Sequence, residues 1–293
     1  MTNTNRQGVL LAVAAYVMWG IAPVYFKLIE SVPSVEILMH RIIWSLVVLF
    51  LIISGKKHWH NISKIFRNPK TLLTLTISSC FLAFNWWLFI WAVNNERILD
   101  ASLGYYINPL LNIALGMIFL GERLSRLQYF AIGLALIGVL IQLITFGSFP
   151  IVAFSLAASF AIYGLIRKKI HVDSVSGIFI ESLILVIPAI LYWWFLADSH
   201  ASNLTINTVS LNMLLVLAGV VTTAPLLCFV AAARRLEYST MGFLQYIGPS
   251  IMFLFGVFVY GENVGQDRWL TFAFIWSALA VYSFATIQKI RKK

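Results

Sequence analysis

Long apolar stretches, separated by short polar segments, run through the whole chain. Each is about twenty residues long, which is enough for a helix to cross the hydrocarbon core of a bilayer. They lack the strict alternation of apolar and polar residues that is typical of barrel strands, so the pattern predicts helices. Ten such stretches occur, at residues 8–27, 34–53, 71–93, 101–120, 127–146, 149–166, 174–196, 210–233, 240–260 and 267–287. The expected fold class is an all-α integral membrane protein.

The composition agrees with a membrane protein and excludes several other classes. Of the 293 residues, 60% are hydrophobic and 11% are charged, whereas a soluble domain has about 25% charged residues. The mean hydropathy is +0.88. The chain contains neither a GxxxxGK[ST] phosphate loop nor an HExxH zinc motif, so we expect no cofactor, no metal and no enzymatic activity. The two cysteines, Cys80 and Cys228, lie inside apolar stretches, and we predict that both are buried.

The net charge of +10 is explained by membrane topology rather than by binding to nucleic acid. When the N-terminus is placed in the cytoplasm, 17 of the 21 Lys and Arg residues fall in cytoplasmic segments. Three fall on the other side, Lys27, Arg97 and Arg268, and Arg41 lies within a span. Cytoplasmic loops of membrane proteins are enriched in basic residues, so we expect both termini in the cytoplasm.

The chain contains an internal repeat. A shift of 140 residues aligns residues 89–122 with 229–262, and eight of the 34 positions are identical, among them Tyr106/Tyr246, Pro109/Pro249 and Glu122/Glu262. This predicts two five-helix repeats, residues 1–146 and 147–293. Because five is odd, the second repeat has the opposite orientation in the membrane, an arrangement typical of transporters that alternate access to a central site. The alternative is that the duplication only produced a stable bundle.

Away from the span ends, the charged or titratable groups that matter here are Glu36, His40 and Arg41 in the second helix and Glu181 in the seventh. Charged groups in the membrane are costly and usually face a polar interior. The repeat places Arg41 opposite Glu181, and we hypothesise that the two are coupled in a polar core, with Glu181 as a proton carrier. The alternative is that Arg41 extends to the interface and Glu181 bonds a neighbouring helix. His40 can equally be a packed residue, and Glu36 can simply favour a helix N-terminus.

Prolines and aromatic or amide side chains indicate where a substrate binds. Proline removes a backbone hydrogen bond and bends a helix, so Pro23, Pro109, Pro225 and Pro249 are candidate hinges, although static kinks are the alternative. A pocket of aromatic and amide groups suits an organic solute. The candidates for such a pocket are Trp19, Asn85, Trp86, Trp91, Tyr105, Tyr106, Asn108, Asn112, Phe243, Gln245 and Tyr246.

Three segments of the first half carry a resemblance to a known family: 85–94 (NWWLFIWAVN), 101–110 (ASLGYYINPL) and 120–124 (LGERL). With Glu36, His40-Arg41, Trp44-Ser45, Tyr163-Gly164, Arg167-Lys168, residues 244–247 and Pro249, the chain resembles the RarD-type permeases of the EamA branch of the drug/metabolite transporter superfamily. The resemblance implies two inverted five-helix repeats in a bacterial inner membrane and a small organic solute as substrate. It also implies a cavity built by helices one, three, four, six, eight and nine, and it adds Tyr163 to the substrate-binding candidates.

We therefore expect a secondary transporter, an exporter of small organic metabolites or drug-like molecules, that works by alternating access. The sequence leaves open whether transport is coupled to protons or is uncoupled facilitation or exchange. A membrane scaffold or sensor without transport is the alternative from a different class. The expected partners are the solute and the lipid bilayer, not nucleic acid, and a homodimer stays open.

Overall fold

The computed structural model describes residues 3–95, 97–147, 149–197, 199, 203–261, 263 and 265–291. The described residues form twelve helices along the chain. They are α1 (Asn3–Lys27), α2 (Ser34–Lys56), α3 (Trp59–Phe66), α4 (Pro69–Asn94), α5 (Ile98–Leu120), α6 (Arg126–Phe146), α7 (Ile151–Lys169), α8 (Ser174–Leu196), α9 (Val209–Ala233), α10 (Tyr238–Gln245), α11 (Ile247–Phe258) and α12 (Gln266–Arg291).

The predicted fold class is confirmed. Within the described residues, ten helical segments are long and apolar enough to span a membrane, and they coincide with the ten predicted stretches. The ninth span consists of α10 followed directly by α11. The short helix α3 was not predicted, because its eight residues are too few to produce a long apolar stretch. It is amphipathic, and it packs Ile62 and Ile65 against the bundle.

Local sequence explains several helix ends. Ser125 begins α6 with a capping box, in which its hydroxyl accepts from the Gln128 N–H and the Gln128 side chain accepts from the Ser125 N–H. Gly121 follows α5 with φ 65°, a left-handed conformation that glycine adopts without strain. Gly261, its mate in the repeat, also has φ 65°. Equivalent positions in the two halves therefore have the same backbone conformation.

Helix packing follows the repeat as well. The span that contains α5 packs on α7, and its counterpart, α10 with α11, packs on α1. The contact between α2 and α9 has its counterpart in the contact between α8 and α4. Likewise, α1 packs on α9 as α7 packs on α4. Three further pairs join counterparts directly: α2 with α8, α5 with α10, and α6 with α12. Exchanging the two halves thus maps these contacts onto one another, as expected for a duplicated unit.

The ninth span is interrupted near a predicted hinge. α10 ends at Gln245 and α11 begins at Ile247, with Tyr246 as the turn between them. Proline has no N–H, so Pro249 leaves the Gln245 carbonyl without its helical donor, which accounts for the interruption. The other three candidate hinges, Pro23, Pro109 and Pro225, lie inside helices that continue through them.

The prediction for the cysteines is wrong. Cys80 is exposed and Cys228 is only partly buried. Cys80 lies in α4 between Leu73, Ile77, Phe84 and Trp87, all of which are exposed. These positions are spaced by three or four residues and form one apolar face of the helix. An apolar face directed outward suits lipid contact, which explains why residues in an apolar stretch are not buried by protein.

Candidate functional site

A small cavity lies between two helices of the first half, α2 and α4, and two of the second half, α8 and α9. It has room for about one water molecule in this structure. Its polar lining is formed by Glu181 and four hydroxyl side chains, and the remaining lining is apolar or aromatic. The lining residues are Ile42, Ser45, Leu82, Trp86, Ile178, Glu181, Ser182, Leu185, Thr222, Thr223 and Leu226.

Glu181 is a buried carboxylate with partners on two neighbouring helices. The Ser78 hydroxyl of α4 donates to its Oε1 at 2.7 Å, and the Tyr163 hydroxyl of α7 donates to its Oε2 at 3.2 Å. The Nε of Arg167, also in α7, lies 3.6 Å from Oε1. Charge-assisted hydrogen bonds and a nearby cation stabilise a carboxylate away from water. Glu181 therefore lies at the cavity wall with a fixed orientation and a compensated charge.

The ion pair depends on a glycine in α8. The Arg167 side chain is fully buried and passes over Gly177, where an added Cβ would lie 2.2 Å from Nη1. Gly177 and Glu181 are four residues apart on one face of α8, and Tyr163 and Arg167 are four residues apart on the facing side of α7. Only glycine at position 177 leaves space for the guanidinium.

Arg41 has a different environment. Its Nε donates to the Thr222 hydroxyl of α9 at 2.9 Å. The guanidinium carbon lies 5.1 Å from the centroid of the Trp86 ring and 5.5 Å from that of Phe26, which are cation–π distances. Trp86 and Thr222 both line the cavity, so Arg41 is at its edge. The side chain is partly buried.

The hypothesised direct pairing of Arg41 with Glu181 is not the arrangement in this structure. Among the described residues, Glu181 pairs with Arg167, and Arg41 bonds a neutral hydroxyl. The physical reason is that α7 brings its own arginine to Glu181 from the end of the helix. Arg41 and Glu181 are instead related through the cavity, which Glu181 lines and which Arg41 reaches through Thr222.

His40 and Glu36 are packed on the same helix as Arg41. The His40 Nδ1 accepts a hydrogen bond from the Trp44 indole at 3.3 Å, and its ring makes an edge contact with Trp193 at 4.6 Å. The Glu36 Oε2 accepts from the Ser199 hydroxyl at 2.5 Å. Both side chains are buried, and neither lines the cavity. Their contacts join α2 to α8 and to the segment that follows α8.

Three predicted binding residues form an amide network between α5 and α10. The Asn112 side chain donates to the Gln245 Oε1 at 2.6 Å, and the Gln245 amide donates to the Asn108 Oδ1. Asn108 in turn donates to the Ala157 carbonyl of α7. Beside the network, the Tyr246 hydroxyl donates to the backbone carbonyl of Tyr106, its mate in the repeat, at 3.3 Å. These groups join the two halves.

The remaining candidates lie in packing contacts. Asn85 donates to the Leu156 carbonyl and to the Ser159 hydroxyl of α7, at 2.8 and 3.0 Å. Trp19 packs at 5.6 Å from both Phe160 and Phe229. Of the twelve candidate binding residues, Trp86 is the one that lines the cavity in the part of the chain that the structure describes.

The sequence did not indicate the cavity hydroxyls or the role of Arg167. The cavity hydroxyls belong to Ser45, Ser182 and the adjacent Thr222 and Thr223, which lie in apolar helices and give no pattern that indicates a cavity. Arg167 is one of the basic residues that define topology and one of the residues that carry the family resemblance, and neither pattern indicates that it pairs with Glu181. The available signal was that Arg167 lies four residues after Tyr163, just as Glu181 lies four residues after Gly177, so that each pair shares one face of its helix.

The fold and the cavity define a class: a multi-pass membrane protein with a small cavity between its two similar halves. The model of the EamA-like transporter family matches residues 6–144 and, a second time, residues 148–284. The chain belongs to the EamA-like transporter family, and the resemblance to RarD-type permeases is confirmed. It is therefore a membrane transporter.

Individual relatives agree. The chain is 55% identical over 289 residues to "Protein RarD" of Salmonella typhi, which covers 99% of this chain and 98% of that protein. It is 54% identical over 278 residues to an "Uncharacterized transporter" of Vibrio cholerae, and the match covers 95% of this chain and 92% of that protein. A protein of known crystal structure, 17% identical, matches with a TM-score of 0.71 over 94% of this chain and 96% of that chain, which shows the same fold.

Proposed function

We propose that the protein is a secondary transporter that exports small organic solutes by alternating access. It consists of two inverted repeats, 1–146 and 147–293, in the inner membrane of a bacterium, with both termini in the cytoplasm. The observation that carries the proposal is the cavity walled by two helices from each half, with the Glu181 carboxylate in its lining. A site at the junction of inverted repeats can be opened to either side by rocking one half against the other.

The cavity in this structure is too small for an organic solute, so binding requires the four surrounding helices to separate. The interruption of the ninth span at Tyr246 and Pro249 provides one position where such a movement can occur. The direct test is flux. Purified protein in liposomes should release a loaded panel of organic solutes faster than protein-free liposomes, and reporter fusions to each loop should give the predicted orientation.

Glu181 is the group through which we propose that protons are coupled to transport. It is the carboxylate on the cavity wall, and Ser78 and Tyr163 hold it in place. Protonation would release Arg167 and change the charge of the wall. Glu181→Gln should then retain downhill flux but lose the acceleration that a pH gradient produces. Flux by Glu181→Gln with an unchanged pH dependence would eliminate Glu181 as the carrier.

Arg167 supports a second candidate, uncoupled facilitation or exchange. The guanidinium of Arg167 lies 3.6 Å from the carboxylate, so an ionised Glu181 already has a counter-ion within the protein and does not need a proton to balance its charge. In this case the wild-type protein would show equal flux with and without a pH gradient. Comparing wild type with Glu181→Gln under both conditions separates the two mechanisms.

A further inference from the structure

Arg41 carries the uncompensated charge of the cavity region. Among the residues that the structure describes, no carboxylate lies within 4.0 Å of its guanidinium. The carboxylate on the cavity wall, Glu181, is already paired with Arg167. The rings of Trp86 and Phe26 and the Thr222 hydroxyl, which contact Arg41, are neutral groups. An intramembrane arginine without a counter-ion is costly to maintain, which is the usual mark of a functional group.

The contacts of Arg41 hold its orientation and leave donors available. Thr222 accepts from Nε, while Trp86 and Phe26 lie at cation–π distance from the guanidinium. In the described part of the chain, Nη1 and Nη2 make no hydrogen bond. A guanidinium with two free terminal nitrogens matches a carboxylate or a phosphate, which it binds through paired hydrogen bonds.

The surroundings of Arg41 also indicate the shape of the ligand. Trp86 lines the cavity, so the organic part of a bound molecule would lie against an aromatic and aliphatic wall. The Thr223 hydroxyl, also in the lining, is buried and has no hydrogen-bond partner among the residues that the structure describes. A buried hydroxyl without a partner is unfavourable, and a second polar atom of a ligand would remove that cost.

We propose that the solute is an organic anion: a carboxylate or phosphate group binds Arg41, and an apolar or aromatic body lies against Trp86 in the opened cavity. The inference rests on the proposed transport function for its site, but its test is binding rather than flux. The positive charge selects for the anionic group, and the paired state of Glu181 removes the need for a cationic group on the solute.

The experiment measures binding to the full-length protein in lipid nanodiscs. The probes are 3-phenylpropionate, its neutral amide and 2-phenylethyl phosphate, which share a similar body. We expect wild type to bind one or both anions and to bind the amide at least about tenfold more weakly, the usual value of a charge-assisted pair. The stronger of the two anions identifies a carboxylate or a phosphate as the natural head group.

Variants separate recognition from folding. Arg41→Met should lose anion affinity at least about tenfold, and Arg41→Lys should recover part of it. Lys27→Met is the matched control, because Lys27 also lies over a ring, 4.2 Å from the Tyr260 centroid, but does not line the cavity. It should bind as wild type does. Thr222→Val keeps the guanidinium of Arg41 and should retain most of the anion affinity. If Arg41 acted only by holding the structure through Thr222, Thr222→Val would lose as much affinity as Arg41→Met.

The outcomes are decisive in both directions. Equal binding of acid and amide, binding unaffected by Arg41→Met, or no binding of either anion to wild type would overturn the proposal. Failure of transport is a different result: anions that bind through Arg41 but do not cross the membrane would remove the proposed function and leave the anion site. Flux of neutral solutes by the wild-type protein, together with no binding of either anion, would remove the anion site and leave the proposed function.

Discussion

The Glu122 carboxylate, just beyond the end of α5 in the first half, accepts a hydrogen bond from the backbone N–H of Ser239 in the first turn of α10, at 2.8 Å. Its other oxygen accepts from the Tyr238 N–H. The first N–H groups of a helix lack partners within the helix and form the positive end of its dipole, so a carboxylate is well suited to cap them. The mate of Glu122 in the repeat, Glu262, lies outside the described residues.

This cap connects the two halves at one end of the bundle. We expect Glu122→Gln to loosen α10, because an amide replaces one accepting oxygen with a donor. In a Cys80→Ser/Cys228→Ser background, Ser239→Cys should react slowly with a water-soluble maleimide, since Ser239 is fully buried. Glu122→Gln should raise this rate about fivefold, corresponding to a cap worth ~1 kcal/mol.

Glu237→Gln is the control for the loss of a nearby negative charge. Glu237 immediately precedes α10, but its side chain does not cap the helix. It should leave the labelling rate of Ser239→Cys unchanged. Equal acceleration by both variants would show that surface charge, and not the cap, holds α10 closed.

Lys168 stabilises the same region, the connection between α9 and α10, through a second set of hydrogen bonds. Its ammonium donates to the carbonyls of Ala233 and Leu236, at the end of α9 and in the turn before α10. Terminal carbonyls of a helix lack partners, and a cation satisfies them. Lys168→Met should lower the free energy of unfolding by about 1–3 kcal/mol, measured as thermal or denaturant stability in detergent. Lys169→Met, the adjacent exposed lysine, should have a smaller effect, and comparable losses would contradict the role given to Lys168.

The extent to which the sequence predicts this protein can be judged from particular residues. The spans follow from lipid, which excludes polar segments whatever the tertiary packing, and therefore all ten could be placed from hydrophobicity. The cavity could not be placed from the sequence, because its position depends on which faces of the helices pack together. Arg167 shows the difference: its position at the end of α7 suggests topology alone, and only the approach of α8 at Gly177 makes it the partner of Glu181.

The close approach at Gly177 gives a prediction about that ion pair. Gly177→Ala places a methyl group 2.2 Å from the Arg167 Nη1, so the guanidinium must move away from Glu181. Overpacking of this kind costs about 1–3 kcal/mol, and we expect a loss of that size in the stability of the protein in detergent. Gly133→Ala is the matched control, because an added Cβ there has no atom within 4 Å. Its stability should stay the same or rise, since alanine favours a helix.

A double variant tests whether the loss arises from the ion pair. If Gly177→Ala acts by displacing Arg167 from Glu181, the stability that it removes should be different in a Glu181→Gln background. Interacting residues give non-additive effects of about 0.5–3 kcal/mol in such cycles. Strictly additive effects of Gly177→Ala and Glu181→Gln would mean that the methyl group disturbs packing without affecting the pair.

The interruption at Pro249 can be either a hinge or a static kink, and the rate of transport distinguishes them. Pro249→Ala restores the missing N–H, so the Gln245 carbonyl gains a donor and α10 and α11 can join into one helix. If the interruption is a hinge, the maximal flux in liposomes should fall severalfold while solute affinity stays near that of wild type. Pro188→Ala, in the unbroken helix α8, is the control and should transport normally. Unchanged flux in Pro249→Ala, together with altered thermal stability, would identify a static kink.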